Sequence, residues 1–297
     1  MVALTDAIKH SLPWALPVVL GLFALPGGAF AAASKGDGVR FLAVQGHRGA
    51  SALAPENTLA AFRKAIEVGA DGMEMDLQVT RDGAVVVIHD DTLERTTDGR
   101  GRVTDLTLAE VKGADAGVKF GFAHRGERVP TLAEVIDLVK ASGNDRVRLN
   151  LEIKFGEGRE GQPEDVEERV LAILRAAGFV DRVTVQSFHH PSPAKLKALE
   201  PRIPTGLLVG ARRTVPDPVA LVRQLQADYY APEHRLVTPE LVRRLHQAGI
   251  PVVTWTVNEE SLMRRLIDAG LGAVRGDAII SDHPDRVVSL RRALQAP

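Results

Sequence analysis

The amino-acid sequence predicts an α/β protein built as a (β/α)8 barrel, and three observations predict it. Short apolar runs alternate with amphipathic stretches almost to the C-terminus. Nine runs have strand character, but one reads as the returning arm of a hairpin, which leaves eight strands, each followed by a helix. The roughly 260 residues that follow the N-terminal segment suit a barrel of this kind. A doubly wound open sheet is the alternative for the same alternation.

The elements are justified in chain order. Residues 1–33 stand apart: Lys9 precedes "LPWALPVVLGLFAL", and the small residues "GGAFAAAS" follow. Basic, apolar and small-residue regions in that order form the pattern of a secretory signal peptide. The apolar stretch is short for a membrane span and broken by proline and glycine. Cleavage after Ala31 or Ala33 is expected, giving an exported protein, periplasmic or secreted, with no stable membrane insertion. The chain has no cysteine, so its core alone must stabilise it outside the cell. Residues 40–297 are then the barrel domain.

Its strands are expected at 41–46, 73–79, 85–89, 147–154, 183–187, 205–209, 228–231, 251–257 and 278–282. Helices are expected near 57–68, 131–141, 163–177, 192–199, 217–226, 238–248, 259–269 and 284–294. Asn57 and Thr238 stand where N-caps belong, and Thr131 with Glu134 forms a capping-box pattern. Gly69, Gly178, Gly249 and Gly270 stand where helices should stop. The Asp82-Gly83 turn folds 85–89 back on 73–79, with Val79 facing Val85. Residues 91–129 follow as a small insertion after the second strand, with a short helix near 107–113 started by Thr107 and Glu110.

The chain is 297 residues long, 45% apolar and 25% charged, with a formal net charge of −1. No broad basic field favours nucleic acid as a partner. The chemistry gathers instead at the C-terminal strand ends, where barrels of this type place active sites. Strand residues two apart share a face, so Glu74 and Asp76 aim together, about 6–7 Å apart. The hairpin register returns His89 to the same place. The first strand ends in Gly46-His47-Arg48-Gly49. "LNLEIK" puts Asn150, Glu152 and Lys154 on one face. The seventh strand gives Trp255 and Asn258, the fourth ends in Gln186-Ser187-Phe188, and Ser281-Asp282 end the eighth.

So many charges at one rim are costly to desolvate without partners, which argues for a site over a filled barrel core. Glu74, Asp76 and Glu152 form an all-oxygen set suited to one divalent cation, Ca²⁺ or Mg²⁺. Arg48 and Lys154 suit a phosphate. His47 and His89 suit proton transfer, one as base and one as acid. Together they describe cleavage of a phosphodiester. No serine but Ser187 stands near a base, which leaves the attack on phosphorus to water or to the substrate's own hydroxyl.

The run "GHRGASALAPENTLAAFRKAIEVGADGMEMDLQVTRDGAVVVIHDDTLERTTDGRG" resembles the glycerophosphodiester phosphodiesterase family. The resemblance continues through "GERVPTLAEVIDLV", "LNLEIK", "VQSF", "VVTWTVN" and "DAIISDHP", about 47 to 284. That family is similar in fold to phosphoinositide-specific phospholipase C barrels. The resemblance implies metal-dependent hydrolysis of small-molecule glycerophosphodiesters to sn-glycerol 3-phosphate and an alcohol. It implies that the catalytic pair is His47 and His89, that the metal-binding acids are Glu74, Asp76 and Glu152, and that Arg48 and Lys154 contact phosphate. Trp255 either lines the alcohol pocket or packs. Glu56 either reaches the site or favours a helix N-terminus. His189 and His190 receive no role. "GLGAVRGDAIISDHP" is longer than the family's usual "GVDGIITD", so the loop before the last strand departs from the pattern.

Two alternatives compete. A lysophospholipase D-like or sphingolipid-directed phosphodiesterase of the same superfamily would want an apolar rim, for which Phe120, Phe122 and Phe155 are the available residues. An exported phosphoester-binding protein would need Arg48 and Lys154 but not two histidines.

Overall fold

The computed structural model describes residues 39–155 and 162–296. The expected signal peptide at 1–33 lies outside them. The strands are β1 (Ala43–Gly46), β2 (Gly72–Val79), β3 (Val85–Val87), β4 (Arg148–Ile153), β5 (Val183–Ser187), β6 (Thr205–Val209), β7 (Tyr229–Pro232), β8 (Val253–Thr254) and β9 (Ala278–Ser281). All but β3 run parallel, in the order β7-β6-β5-β4-β2-β1-β9-β8. Parallel bridges from Tyr230 to Val252 and from Glu233 to Trp255 join the two ends. The result is a nearly closed (β/α)8 barrel, not an open sheet.

The helices between strands are α1 (Leu59–Glu67), α3 (Leu132–Ala141), α4 (Val166–Ala176), α5 (Pro191–Leu199), α6 (Pro218–Gln224), α7 (Pro239–Gln247), α8 (Glu260–Asp268) and α9 (Pro284–Gln295); the short α2 (Leu108–Gly113) lies in the insertion. Thr107 and Thr131 each form the full capping box with the glutamate three residues on, and the Thr238 hydroxyl accepts from the Leu241 amide. The four helix-stopping glycines have φ of +84°, +62°, +75° and +106°, the left-handed region where a Cβ is costly. Three expectations need correction, the last at the end of β3. Thr58, not Asn57, caps α1, accepting from the Ala61 amide. The strand expected at 251–257 is reduced to β8, with Val252 and Trp255 joined to their neighbours by single bridges.

The hairpin pairs Leu77 with Val87, Gln78 with Val86 and Val79 with Val85, as its turn dictates. Beyond Val87 the arm breaks earlier than the apolar run suggested. The buried Gln78 amide donates to the carbonyls of Ile88, His89 and Asp90, and so holds the chain as it leaves the strand. Met73, Met75 and Leu77 pack outward with Phe62, Leu132, Val135 and Ile136 of α1 and α3. Alternation then sends Glu74, Asp76 and Gln78 into the barrel. The insertion carries a core of its own, in which Leu93, Val103, Val111 and Val129 pack on Val86 and Ile88 of the hairpin. Among the described residues, no helix is long and apolar enough to cross a membrane.

Candidate active site

The turn after β1 presents His47 and Arg48. It is tight: a Cβ on Gly46 would lie 1.8 Å from the Gly49 carbonyl oxygen, and Arg48 itself has φ +51°. A non-glycine residue held in that region stores strain that its surroundings must maintain. The Arg48 amide donates to Glu74 Oε2 at 2.9 Å, which ties the turn to β2.

Below the turn lie the acids. β2 and β4 pair Glu74 with Asn150 and Asp76 with Glu152. Glu74, Asp76 and Glu152 are buried, and one carboxylate oxygen from each lies within 4.8 Å of the others. Lys154 Nζ sits 2.9 Å from Glu152 Oε1 and 3.6 Å from Asp76 Oδ1; Arg48 Nε is 3.6 Å from Asp76 Oδ2. Burial, reinforced by the Asp76 charge, pushes the Glu74 carboxyl up to about 8. Burial acts the same way on Asp76, but Lys154, His89, Arg48 and the Asn57 amide outweigh it and hold its pKa below the usual carboxylate value. Two neighbouring acids with opposite shifts mark a set arranged to share positive charge. The three acids face two side-chain cations, and an all-oxygen donor set at this spacing fits a hard divalent ion.

Both histidines are backed by a carboxylate. His47 Nδ1 is 2.6 Å from Asp282 Oδ1, with Nε2 turned toward Glu74 Oε2 at 4.0 Å. Asp282 also accepts from Ser51 and from Asn258. Burial disfavours charge on His47, but the Asp282 bond and the Glu74 charge prevail and raise its pKa. His89 Nδ1 is 2.7 Å from Asp90 Oδ1. His47, Arg48, Glu74, His89, Glu152 and Lys154 line one small cavity with Trp255 and Phe188. The Trp255 indole donates to the Ala231 carbonyl at 2.9 Å, and its ring meets Phe188 edge-on at 5.5 Å. Trp255 is therefore both packed and pocket-lining.

Arg95 escaped sequence reasoning, which also gave no catalytic or binding role to Asp90, Asn57, Phe188 or Asp282, although it placed Phe188 and Asp282 at the rim. Arg95, from the insertion, makes paired bonds to two carboxylates. Its Nη1 and Nη2 reach Glu56 at 2.7 and 2.8 Å, and its Nε and Nη2 reach Asp90 at 2.6 and 2.9 Å. Glu56 in turn accepts from Arg48 at 2.8 Å. A chain of alternating charge thus joins Arg48 to His89, and Glu56 reaches the site through it. Asn57, at φ +57°, donates to Asp76 Oδ2 at 2.8 Å. The adjacent "HD" pair was the available signal for Asp90, and the end of the eighth strand that for Asp282; nothing local marked Arg95. Ser187 donates to the Ile153 carbonyl and is buried, so it is tied away from a nucleophile's role. Phe155 packs partly buried against the main core and does not extend an apolar rim.

The family model described as "Glycerophosphoryl diester phosphodiesterase family" matches residues 47–286. A glycerophosphodiester phosphodiesterase of Caldanaerobacter subterraneus subsp. tengcongensis is 41% identical over 246 residues, 83% of this chain and 96% of that one. Among solved structures, a phosphodiesterase of Oleispira antarctica, in complex with the product sn-glycerol-3-phosphate, is similar with a TM-score of 0.75 at 34% identity, covering 84% of this chain and 96% of that one. The glycerophosphodiester phosphodiesterase of Thermotoga maritima gives a TM-score of 0.65 at 27% identity, with 84% and 98% covered.

Proposed function

The chain belongs to the glycerophosphoryl diester phosphodiesterase family and is an enzyme; from that premise we propose that it hydrolyses glycerophosphodiesters to sn-glycerol 3-phosphate and an alcohol, using His47 and His89 and one divalent cation, Ca²⁺ or Mg²⁺. One observation carries the reading. Two imidazoles, each hydrogen-bonded through Nδ1 to a carboxylate, line the cavity that holds Glu74, Glu152, Arg48 and Lys154. The product held by the Oleispira relative is of the class expected here. The alternative of a binder without turnover falls with the family.

Glu74, Asp76 and Glu152 would hold the cation, which when bound neutralises charge at the phosphate and favours ionisation of a hydroxyl beside it. Arg48 and Lys154 bind phosphate oxygens; buried Arg48 Nε has no hydrogen-bond partner among the described residues and is a spare donor for one. A neutral imidazole that donates Nδ1–H to a carboxylate keeps Nε2 as an acceptor. One histidine takes the proton of the glycerol 2-hydroxyl as that oxygen bonds to phosphorus. The other protonates the departing alcohol as its P–O bond breaks. Water then opens the resulting 1,2-cyclic phosphate, with the histidines exchanging roles. Internal attack benefits from high effective molarity. A diester with hydrogen in place of the 2-hydroxyl is expected to bind and turn over far more slowly, and phosphorus NMR of the natural reaction should show the cyclic species. Equal turnover of the deoxy analogue would assign the attack to water.

One feature favours a lipid-directed second reading: Phe122 is 84% exposed, and Phe120 and Phe188 are exposed with it. Turnover of glycerophosphocholine against lysophosphatidylcholine decides between the readings, and the first is expected to win. Export belongs to the same proposal. Mass spectrometry of protein secreted by the native host should find an N-terminus near Ala32 or Ser34, and an intact Met1 on a cytosolic species would refute it.

A further inference from the structure

The other mouth of the barrel, at the N-terminal ends of the strands, holds a cavity of about 400 Å³. Among the described residues its lining carries five arginines, Arg40, Arg146, Arg148, Arg275 and Arg291, and a single acid, Asp71. Asp71 is engaged: it pairs with Arg291 and accepts from the Val44 amide. Among the described residues, no carboxylate lies within 4.0 Å of the side-chain nitrogens of the other four. That imbalance contrasts with a chain whose net charge is −1.

The cavity is built, not a chance gathering of side chains. The Phe41 ring lies against two of the guanidiniums, 5.3 Å from that of Arg40 and 4.9 Å from that of Arg275, and cation–π attraction holds both at the rim. Arg148 is steadied by the Asp181 carbonyl at 2.9 Å. In register, Gln45 and Arg148 flank Gly72, where a Cβ would meet the Arg148 carbonyl oxygen at 3.2 Å and Gln45 Cγ at 3.4 Å. The absent side chain leaves room between them. Below lies a hydrogen-bonded polar layer. Asn150 donates to Gln45 at 2.8 Å, and Thr184 and Tyr229 donate to Asn150 at 3.1 and 3.3 Å.

We propose that this arginine-lined cup is a second anion site, separate from the catalytic rim, that takes a small phosphate-type oxyanion of two or more charges. Four guanidiniums without carboxylate partners among the described residues repel one another, and a planar donor fork matches phosphate oxygens two at a time. The ligand is a soluble anion and not a membrane surface, because no exposed large hydrophobic residue of the described chain lines the cup. Free pyrophosphate, inorganic phosphate and a phosphomonoester such as glycerol 3-phosphate share the required chemistry.

The test is isothermal titration of the full chain at low salt, without divalent cation, using pyrophosphate, then phosphate and glycerol 3-phosphate to rank the sources. Binding should survive Arg48→Gln at the catalytic rim, fall at least tenfold in the Arg148→Gln/Arg275→Gln double variant, and weaken steeply as salt rises. The double variant should keep the wild-type melting temperature and its turnover of glycerophosphocholine, which separates loss of the cup from loss of the fold or of the catalytic reading. Unchanged binding in the double variant, or complete loss in Arg48→Gln alone, would overturn the proposal. Capture of the protein by phosphatidylglycerol vesicles with no pyrophosphate binding would overturn it too.

Discussion

The two halves of the barrel interior follow the same alternation and are filled in opposite ways. On β1, β2, β4 and β5 the inward residues are Gln45, Glu74, Asp76, Gln78, Asn150, Glu152, Thr184 and Gln186, with Ala43 of β1 packing against the apolar side. On β6 to β9 they are Leu208, Tyr229, Ala231, Val253, Ala278 and Ile280, which pack together with Trp255 at their edge. Glu74 and Asp76 are as buried as Leu208 and Ile280, at 1–2% exposure. An apolar filling closes a barrel at no electrostatic cost; burying carboxylates is unfavourable unless cations and hydrogen bonds compensate. On the proposed reading, the polar half gives up stability for chemistry and the apolar half supplies a wall. Tyr229 links them: its ring fills the space over Gly206, where a Cβ would come within 2.0 Å of it, and its hydroxyl reaches Asn150. Burial pushes that phenol's pKa well up, so it stays protonated as a donor.

If this division is right, the largest losses come from the polar side. His47→Ala and His89→Ala should each lower turnover roughly 10²–10⁴-fold, the range of a general acid or base. The double variant should be little worse than either single, because the pair acts as a unit. A histidine whose removal is tolerated would break the assignment. Next come the groups that act through them. Asp282→Asn and Arg95→Gln should cost roughly 10–100-fold, the range for partners that orient a reacting group. Asp282 raises the His47 pKa, so in Asp282→Asn the rate limb set by His47 should move to lower pH. A loss of rate with no such move would make Asp282 structural only.

The acids offer a subtler test. With Glu74 raised to about 8, the metal-free chain binds a proton there more tightly folded than unfolded. That contribution to stability is complete below the unfolded value of 4.5 and fades as pH rises toward about 8. A cation competes with the same proton, so its affinity, read by calorimetry, should climb through that window and lose this dependence in Glu74→Gln. Smallest is the effect on the apolar side. Val253→Ala should cost roughly 1–2 kcal/mol of stability, as buried methyl deletions do, while turnover stays within about twofold. A large loss of rate there would erase the distinction between the halves.

Much of the polar half was legible in the sequence because it is local. The Asp82-Gly83 turn sets the hairpin register, and strand alternation aligns Glu74 with Asp76 and Asn150 with Glu152 and Lys154. What escaped depends on distance along the chain. Asp282 meets His47 across 235 positions, and Arg95 meets Glu56 across 39. Strand position puts Asp282 at the rim but does not pair it with His47, and Arg95 does not differ locally from a solvated surface charge. Asn57 was misread because asparagine suits a helix N-cap as well as it suits a carboxylate, and Thr58 beside it is an equally good cap. The early end of β3 follows from Gln78, whose amide collects three carbonyls that periodicity cannot register.

The central claim is that the acids, cations and histidines gathered on the polar side carry out the cleavage with a bound cation. It is tested most directly by following sn-glycerol 3-phosphate release from glycerophosphocholine by the purified full chain, metal-stripped and then supplied with Ca²⁺ or Mg²⁺. Activity should vanish with the cation and return with it, and should be lost in Glu152→Gln at any practical cation concentration while the variant keeps its fold by circular dichroism. Full activity in the stripped wild-type protein, or in folded Glu152→Gln, would contradict it.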